Sequence, residues 1–222
     1  MMAWPFRPRP LSLGELDSRL EGIRMVEGIG LSSNIYVIGS EEATVVDTGV
    51  GDEVNSLKSS LREMGLKPGD VSQVVLTHGH FDHVGGLQEL LSEAEPDILV
   101  HEEELRTLGR EYSSKAKKLR DGDVVETELG RLVVIHTPGH TAGSICLFDE
   151  DRLALYSGDT VFADGFFGRY DLPTGNLRML VQSLNRLSDL TVETLLPGHG
   201  RIVLKDGWRH VREATRVAEM ML

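Results

Sequence analysis

Within six residues, His78-Gly79-His80-Phe81-Asp82-His83 offers three imidazoles and a carboxylate. Neutral imidazole and carboxylate are ligands for first-row metals. Two more segments are apolar runs that stop in a Pro/Gly loop holding a histidine: Val134-Ile135-His136-Thr137-Pro138-Gly139-His140 and Leu195-Leu196-Pro197-Gly198-His199-Gly200. Asp159 follows an apolar run in the same manner. Alternate residues of a loop can point one way, so the spacing lets His78 and His80 share one ion while Asp82 and His83 turn toward a second. His140 and His199 then supply a further nitrogen to each. A carboxylate such as Asp159 can bridge two ions about 3.5–4 Å apart. One isolated histidine is ordinarily a core or surface residue. A cluster this dense is not, and its ions need the additional ligands that the other strand ends provide.

Other chemistries find little support. The single cysteine, Cys146, excludes an internal disulfide framework and any multi-cysteine metal site. It lies inside an apolar strand pattern and reads as a buried small hydrophobe. No Gly-x-Ser-x-Gly elbow or Walker A loop is present. Gly49-Val50-Gly51 lacks the third glycine of a dinucleotide loop and reads as a turn into a helix. Acidic residues number 35 and basic ones 23, for a formal charge of −12. That balance speaks against nucleic acid as a partner. The basic stretch at 113–120 reads as a solvated face. No apolar run is long enough to span a membrane. The first ten residues carry no apolar signal region, so an extended lead-in and a cytoplasmic location are expected.

The elements that must position these residues follow from periodicity. Residues 23–29, 34–38 and 43–47 read as strands. Val54, Leu57, Leu61 and Met64 form the stripe of an amphipathic helix. Strand then helix repeats at 73–77 and 84–91, and again at 97–101 and 102–108. Strands are expected at 124–126, 132–136, 144–148, 153–157 and 194–196, with helices over 177–187 and 211–221. This order predicts an α/β chain of two packed sheets with helices outside. Residues 1–22 form the lead-in and 23–222 one domain.

The pattern His78-x-His80-x-Asp82-His83, followed by His140, Asp159 and His199, resembles the metallo-β-lactamase superfamily. The resemblance runs from about Ile23 to the end of the chain. It implies a four-layer αβ/βα sandwich with a metal site along one edge. By that resemblance one ion sits on His78, His80 and His140, the other on Asp82, His83 and His199, and Asp159 bridges them. Asp47, in Val46-Asp47-Thr48-Gly49, matches an aspartate that stands behind the ligands. The diiron oxygen-reducing branch has glutamate at the position of His80, and another branch uses a cysteine ligand; both are disfavoured. Thr137–Ser144 and 168–175 resemble glyoxalase II, the latter segment being shared with persulfide dioxygenases. There a basic residue at the position of Arg169 contacts the thiol-bearing substrate, and Tyr170 lies beside it. Only 23 residues follow His199, too few for the helical extension that completes a glutathione pocket in glyoxalase II.

The expected activity is hydrolysis of a thioester or related ester in a small-molecule substrate. Two divalent ions are expected, zinc first, with iron or manganese as alternatives. A bound ion lowers the pKa of water from 15.7 toward about 7, and the resulting hydroxide attacks the polarised carbonyl. Asp159 positions the ions and Asp82 orients the hydroxide. The alternatives are a persulfide dioxygenase with one iron on His78, His140 and Asp159, a lactonase, or a nuclease of the same superfamily. The oligomeric state is not legible.

Overall fold

The computed structural model describes residues 8–222. Residues 1–7 of the expected lead-in lie outside the described residues. Seven strands form a first sheet in chain order: β1 (Leu11–Ser12), β2 (Ile23–Val26), β3 (Ile35–Ile38), β4 (Ala43–Val46), β5 (Val71–Leu76), β6 (Asp97–His101) and β7 (Lys117–Leu119). Pairing is antiparallel from β1 to β4 and parallel from β4 to β7. The second sheet contains β8 (Val124–Thr127), β9 (Gly130–His136), β10 (Ile145–Asp149), β11 (Ala154–Gly158) and β12 (Thr194–Pro197). Its order is β12-β11-β10-β9-β8, antiparallel except for β11 beside β12.

Successive strand residues point to opposite faces, and this alternation builds the layers. Tyr36, Val46 and Val75 meet Val134, Leu147 and Tyr156 in a core between the sheets. Val37, Val45, Val74 and Leu76 face the other way, onto Leu57, Leu61, Leu87 and Leu90. Ile135, Cys146, Leu155 and Leu195 face outward from the second sheet, onto Leu180, Leu184, Val211 and Ala214. The helices are α1 (Leu57–Glu63), α2 (Phe81–Val84), α3 (Leu87–Leu91), α4 (Gly109–Ser113), α5 (Leu177–Ser188) and α6 (Gly207–Glu219), of which α1, α3, α5 and α6 carry these residues. The layer order is therefore helix, sheet, sheet, helix: the expected αβ/βα sandwich. Cys146 is fully buried, and burial pushes its thiol up to about 11.

Three elements differ from the sequence reading. The helix expected over 84–91 is two short helices, α2 and α3, split at Gly85-Gly86. A Cβ at Gly86 would stand 2.2 Å from the Thr48 carbonyl, so the loop after β4 packs where side chains would lie. The basic stretch at 113–120 contains the edge strand β7, whose Lys117 pairs with Asp97 at 2.5 Å; lysines on an edge discourage further strand pairing. Part of the lead-in belongs to the sheet. Leu11–Ser12 pairs with β2, and Leu13 and Leu20 are fully buried.

Candidate metal centre

Five strand ends converge on one edge of the sandwich. β4 delivers Asp47, β5 delivers the His78–His83 segment, β9 delivers His140, β11 delivers Asp159 and β12 delivers His199. The sheets are fastened together there. Ile145 N–H donates to the Thr77 carbonyl at 2.9 Å. Asn34 N–H donates to the Gly198 carbonyl, and its Nδ2 donates to the Pro197 and Gly200 carbonyls at 2.9 Å. Tyr36 Oη donates to the Pro197 carbonyl at 2.7 Å. These bonds fix the loop bearing His199 against the first sheet.

Three ring nitrogens form the first group. His78 Nε2 is 3.0 Å from His80 Nδ1 and 3.2 Å from His140 Nε2, and the latter two are 2.9 Å apart. Tetrahedral ligands about 2.0–2.1 Å from a zinc ion would be about 3.3 Å from one another. In the second group, His83 Nε2 and His199 Nε2 are 3.3 Å apart, and His199 Nε2 is 3.1 Å from Asp82 Oδ2. Asp159 stands between the two. Its Oδ2 is 3.6 Å from both His140 Nε2 and His199 Nε2, and its Oδ1 is 3.2 Å from His83 Nε2. All seven residues expected at the site are thus brought together. The structure also draws His78, His83 and Asp159 into a third grouping of possible ligands that the sequence did not suggest.

The hydrogen bonds behind these groups decide which nitrogen carries a proton. Asp47 Oδ1 accepts from Thr77 N–H, and its Oδ2 accepts from Thr77 Oγ1 and His83 Nδ1, each at 2.8 Å. A carboxylate only accepts, so His83 Nδ1 is the donor and Nε2 is left facing inward. Thr77 has given its proton to Asp47, so His78 Nδ1 donates to Thr77 Oγ1 at 3.2 Å, leaving His78 Nε2 as a lone pair. His140 Nδ1 donates to the Arg169 carbonyl at 2.6 Å. Three imidazoles therefore turn their Nε2 atoms into one space with Nδ1 held by a partner, the orientation a metal ligand requires.

Electrostatics and donor chemistry fit cations in that space. Burial, with His83, His140, His80 and His199 around it, holds His78 well below the ordinary imidazole range, so it is neutral. Burial opposes a proton on His83, but Asp47 and Asp159 outweigh it and raise its pKa well above the ordinary value. The negative field that favours a proton at Nε2 favours a metal cation at the same atom. Burial would raise the Asp159 carboxyl, yet His83, then His199 and His140, hold it down at about 2. Its Oδ1 is buried without a hydrogen-bond partner, lying near His83 Nε2 but out of line for a bond. An unpartnered buried carboxylate oxygen costs free energy, and converging lone pairs repel; divalent cations resolve both. Gly198 makes the approach possible, since a Cβ there would stand 2.5 Å from Asp159 Oδ1 and 2.8 Å from the His83 ring.

Arg169 and Tyr170 sit beside this centre in a different manner from the ligands. The Arg169 guanidinium is 69% exposed and forms two 2.9 Å bonds to Asp171. Its carbonyl is the atom that orients His140. Tyr170 is partly buried against the outer core of the second sheet. Sequence reading missed Glu104. This buried carboxylate accepts from Gly79 N–H and Gly143 N–H, both at 2.9 Å, and so ties the loop of His78 and His80 to the loop of His140. It stands in Glu102-Glu103-Glu104, at the start of the stretch expected to be helical over 102–108. His136, outside the ligand groups, donates from Nε2 to the Ala142 carbonyl at 2.9 Å and stacks on His101.

The family model of the metallo-beta-lactamase superfamily matches residues 28–199. A probable metallo-hydrolase of Methanocaldococcus jannaschii is 34% identical over 198 residues, covering 81% of this chain and 93% of that protein. The human acyl-coenzyme A thioesterase MBLAC2 is 34% identical over 209 residues, covering 77% of this chain and 74% of that protein. The crystal structure of TTHA1623 in a di-iron-bound form is 29% identical, with a TM-score of 0.66, covering 81% of this chain and 93% of that one.

Proposed function

Because the chain belongs to the metallo-β-lactamase superfamily, we propose that it is a binuclear metal-dependent hydrolase that cleaves a thioester, or a related ester, in a small-molecule substrate. The observation that carries this reading is the pair of ligand groups, His78/His80/His140 and Asp82/His83/His199, with Asp159 reaching both. The similarity to an acyl-coenzyme A thioesterase supports the choice of bond. So do the two segments resembling glyoxalase II, although glutathione itself is not part of the proposal.

Divalent ions, when bound, act as Lewis acids and lower the pKa of water toward about 7. The chain's own groups do the rest. Asp47 and Thr77 hold His83 and His78 in the tautomers that face inward, and the Arg169 carbonyl does the same for His140. Asp159, ionised at neutral pH, fixes the separation of the two groups. Burial would raise the Asp82 carboxyl, but its bond to His199 outweighs this and its pKa is lowered. Asp82 is partly exposed, so it is a carboxylate that can accept a proton from water at the open side of the centre. The Arg169 guanidinium, beside Tyr170, is proposed to exchange Asp171 for an anionic group on the substrate.

The test is metal analysis of the purified protein beside two assays: thiol release from hydroxyacyl thioesters, and oxygen uptake with a persulfide. Two ions per chain with thiol release support the hydrolase. One iron per chain, with oxygen consumption and no thioester cleavage, would replace it with the dioxygenase.

A further inference from the structure

A groove of about 600 Å³ opens beside the centre, lined by residues 29–31, 50–52, 54, 55 and Phe81. Its volume is within the range of small-molecule sites. Phe81 stands in the chain between His80 and Asp82, and its side chain is 70% exposed; Leu31 is 83% and Ile29 41% exposed. Large apolar side chains left in water at one place mark a binding surface.

The walls are held rigidly and to the ligand loop. Ser33 N–H donates to the Asp82 carbonyl at 3.0 Å. Asn55, which is buried, joins the two walls: its Oδ1 accepts from Ile29 N–H at 2.9 Å and its Nδ2 donates to the Ile29 carbonyl at 3.2 Å. The Asn55 side chain is consumed by these contacts. Asp52 Oδ1, belonging to the groove's one charged side chain, accepts from Val54 N–H, Asn55 N–H and Asn55 Nδ2. Among the described residues, no lysine, arginine or histidine lines the groove. A thiol carrier bearing phosphate or carboxylate groups would find no cation there and one carboxylate against it. A hydrocarbon chain would find apolar walls formed by Ile29, Leu31, Val50, Val54 and Phe81.

We propose that this groove binds the acyl side of the substrate, and that the acyl group is a hydrocarbon chain of several methylenes. The inference rests on the thioester reading for the bond that is cleaved, and on the groove alone for the chain. Each methylene that enters the groove is expected to improve binding by up to about fourfold, the transfer free energy of a buried CH₂.

The experiment uses the metal-loaded full chain and two series on one small neutral thiol, N-acetylcysteamine. S-alkyl thioethers from ethyl to octyl, which cannot be hydrolysed, are titrated by calorimetry. The matching acyl thioesters are followed by thiol release. Leu31→Ser and Val54→Asp alter the walls without touching a ligand, and metal content and Tm verify that both variants are folded. Affinity should climb with chain length in the wild type and flatten in both variants, with the ethyl probe unaffected. Thioester cleavage with no dependence on chain length would overturn the groove and leave the hydrolase standing. Chain-length-dependent binding without thioester cleavage would sustain the groove and sink the thioester reading. Flat binding without cleavage would reject both.

Discussion

Replacing Asp47 with asparagine probes the link between the hydrogen-bond network and the centre with little change of shape. Asp47 adopts a left-handed backbone conformation, φ 56°, which asparagine tolerates nearly as well as aspartate. The amide oxygen can keep the bond from Thr77 N–H. The amide nitrogen then replaces Oδ2, facing Thr77 Oγ1 and His83 Nδ1. Two donors cannot share that contact. His83 must turn its lone pair toward the amide, which places a proton on Nε2, the atom that faces His199 and Asp159. One ligand of the second group is then lost, and the Thr77 hydroxyl, deprived of its acceptor, no longer fixes the His78 tautomer; His80 and His140 keep their arrangement. Removing such a partner costs about 10–100-fold in metal affinity, or about 1.4–2.8 kcal/mol, consistent with about 1.5–3 kcal/mol for a hydrogen bond to a charged group. The assay is zinc titration of metal-free protein against a fluorescent chelator. Two binding phases are expected in the wild type, with at least one of them weakened by that factor in the variant. Two ions held with wild-type affinity by Asp47→Asn would refute the role given to Asp47.

Glu104→Ala should orphan the buried N–H groups of Gly79 and Gly143. At about 1–3 kcal/mol each, denaturant unfolding of the metal-free protein should show a loss of about 2–6 kcal/mol; a loss under about 1 kcal/mol would contradict the clamp. His101 has its pKa lowered from 6.5 by burial and then by the neighbouring His136, so the unfolded chain binds the proton more readily. Its contribution to stability is complete above pH 6.5 and is lost as pH falls through the lower folded value; His101→Gln should therefore give a shallower decline of Tm with acid than the wild type, and an unchanged slope would remove the assignment. Arg169→Ala should leave metal content intact, because the carbonyl that holds His140 remains, and should raise KM with kcat little changed. An unchanged KM on a cleaved substrate would end its proposed part in recognition.

The candidate ligands could be picked out in the sequence because His78, His80, His140, Asp159 and His199 follow apolar strands beside glycine, with Asp82 and His83 close behind, a local pattern that needs no knowledge of the fold. Division of the layers was legible from alternation, as in Val74, Val75 and Leu76, which face alternately outward and inward. What escaped depends on contacts distant in sequence. Glu104 acts on backbone groups 25 and 39 residues away, and Asn34 reaches Pro197 and Gly200 across the two sheets. The break between α2 and α3 comes from the Thr48 carbonyl pressing on Gly86, and periodicity alone read straight through it. β7 was masked because two lysines at a sheet edge look the same as a solvated loop.

The central claim is that both ligand groups serve one hydrolytic reaction. Stepwise addition of zinc to the metal-free protein, with thiol release from an acyl thioester measured at each step, tests it most directly. The rate should stay low to one equivalent and reach its plateau at two, with Asp159→Asn never reaching it. Full activity at a single equivalent, or an Asp159→Asn variant as active as the wild type, would contradict the account.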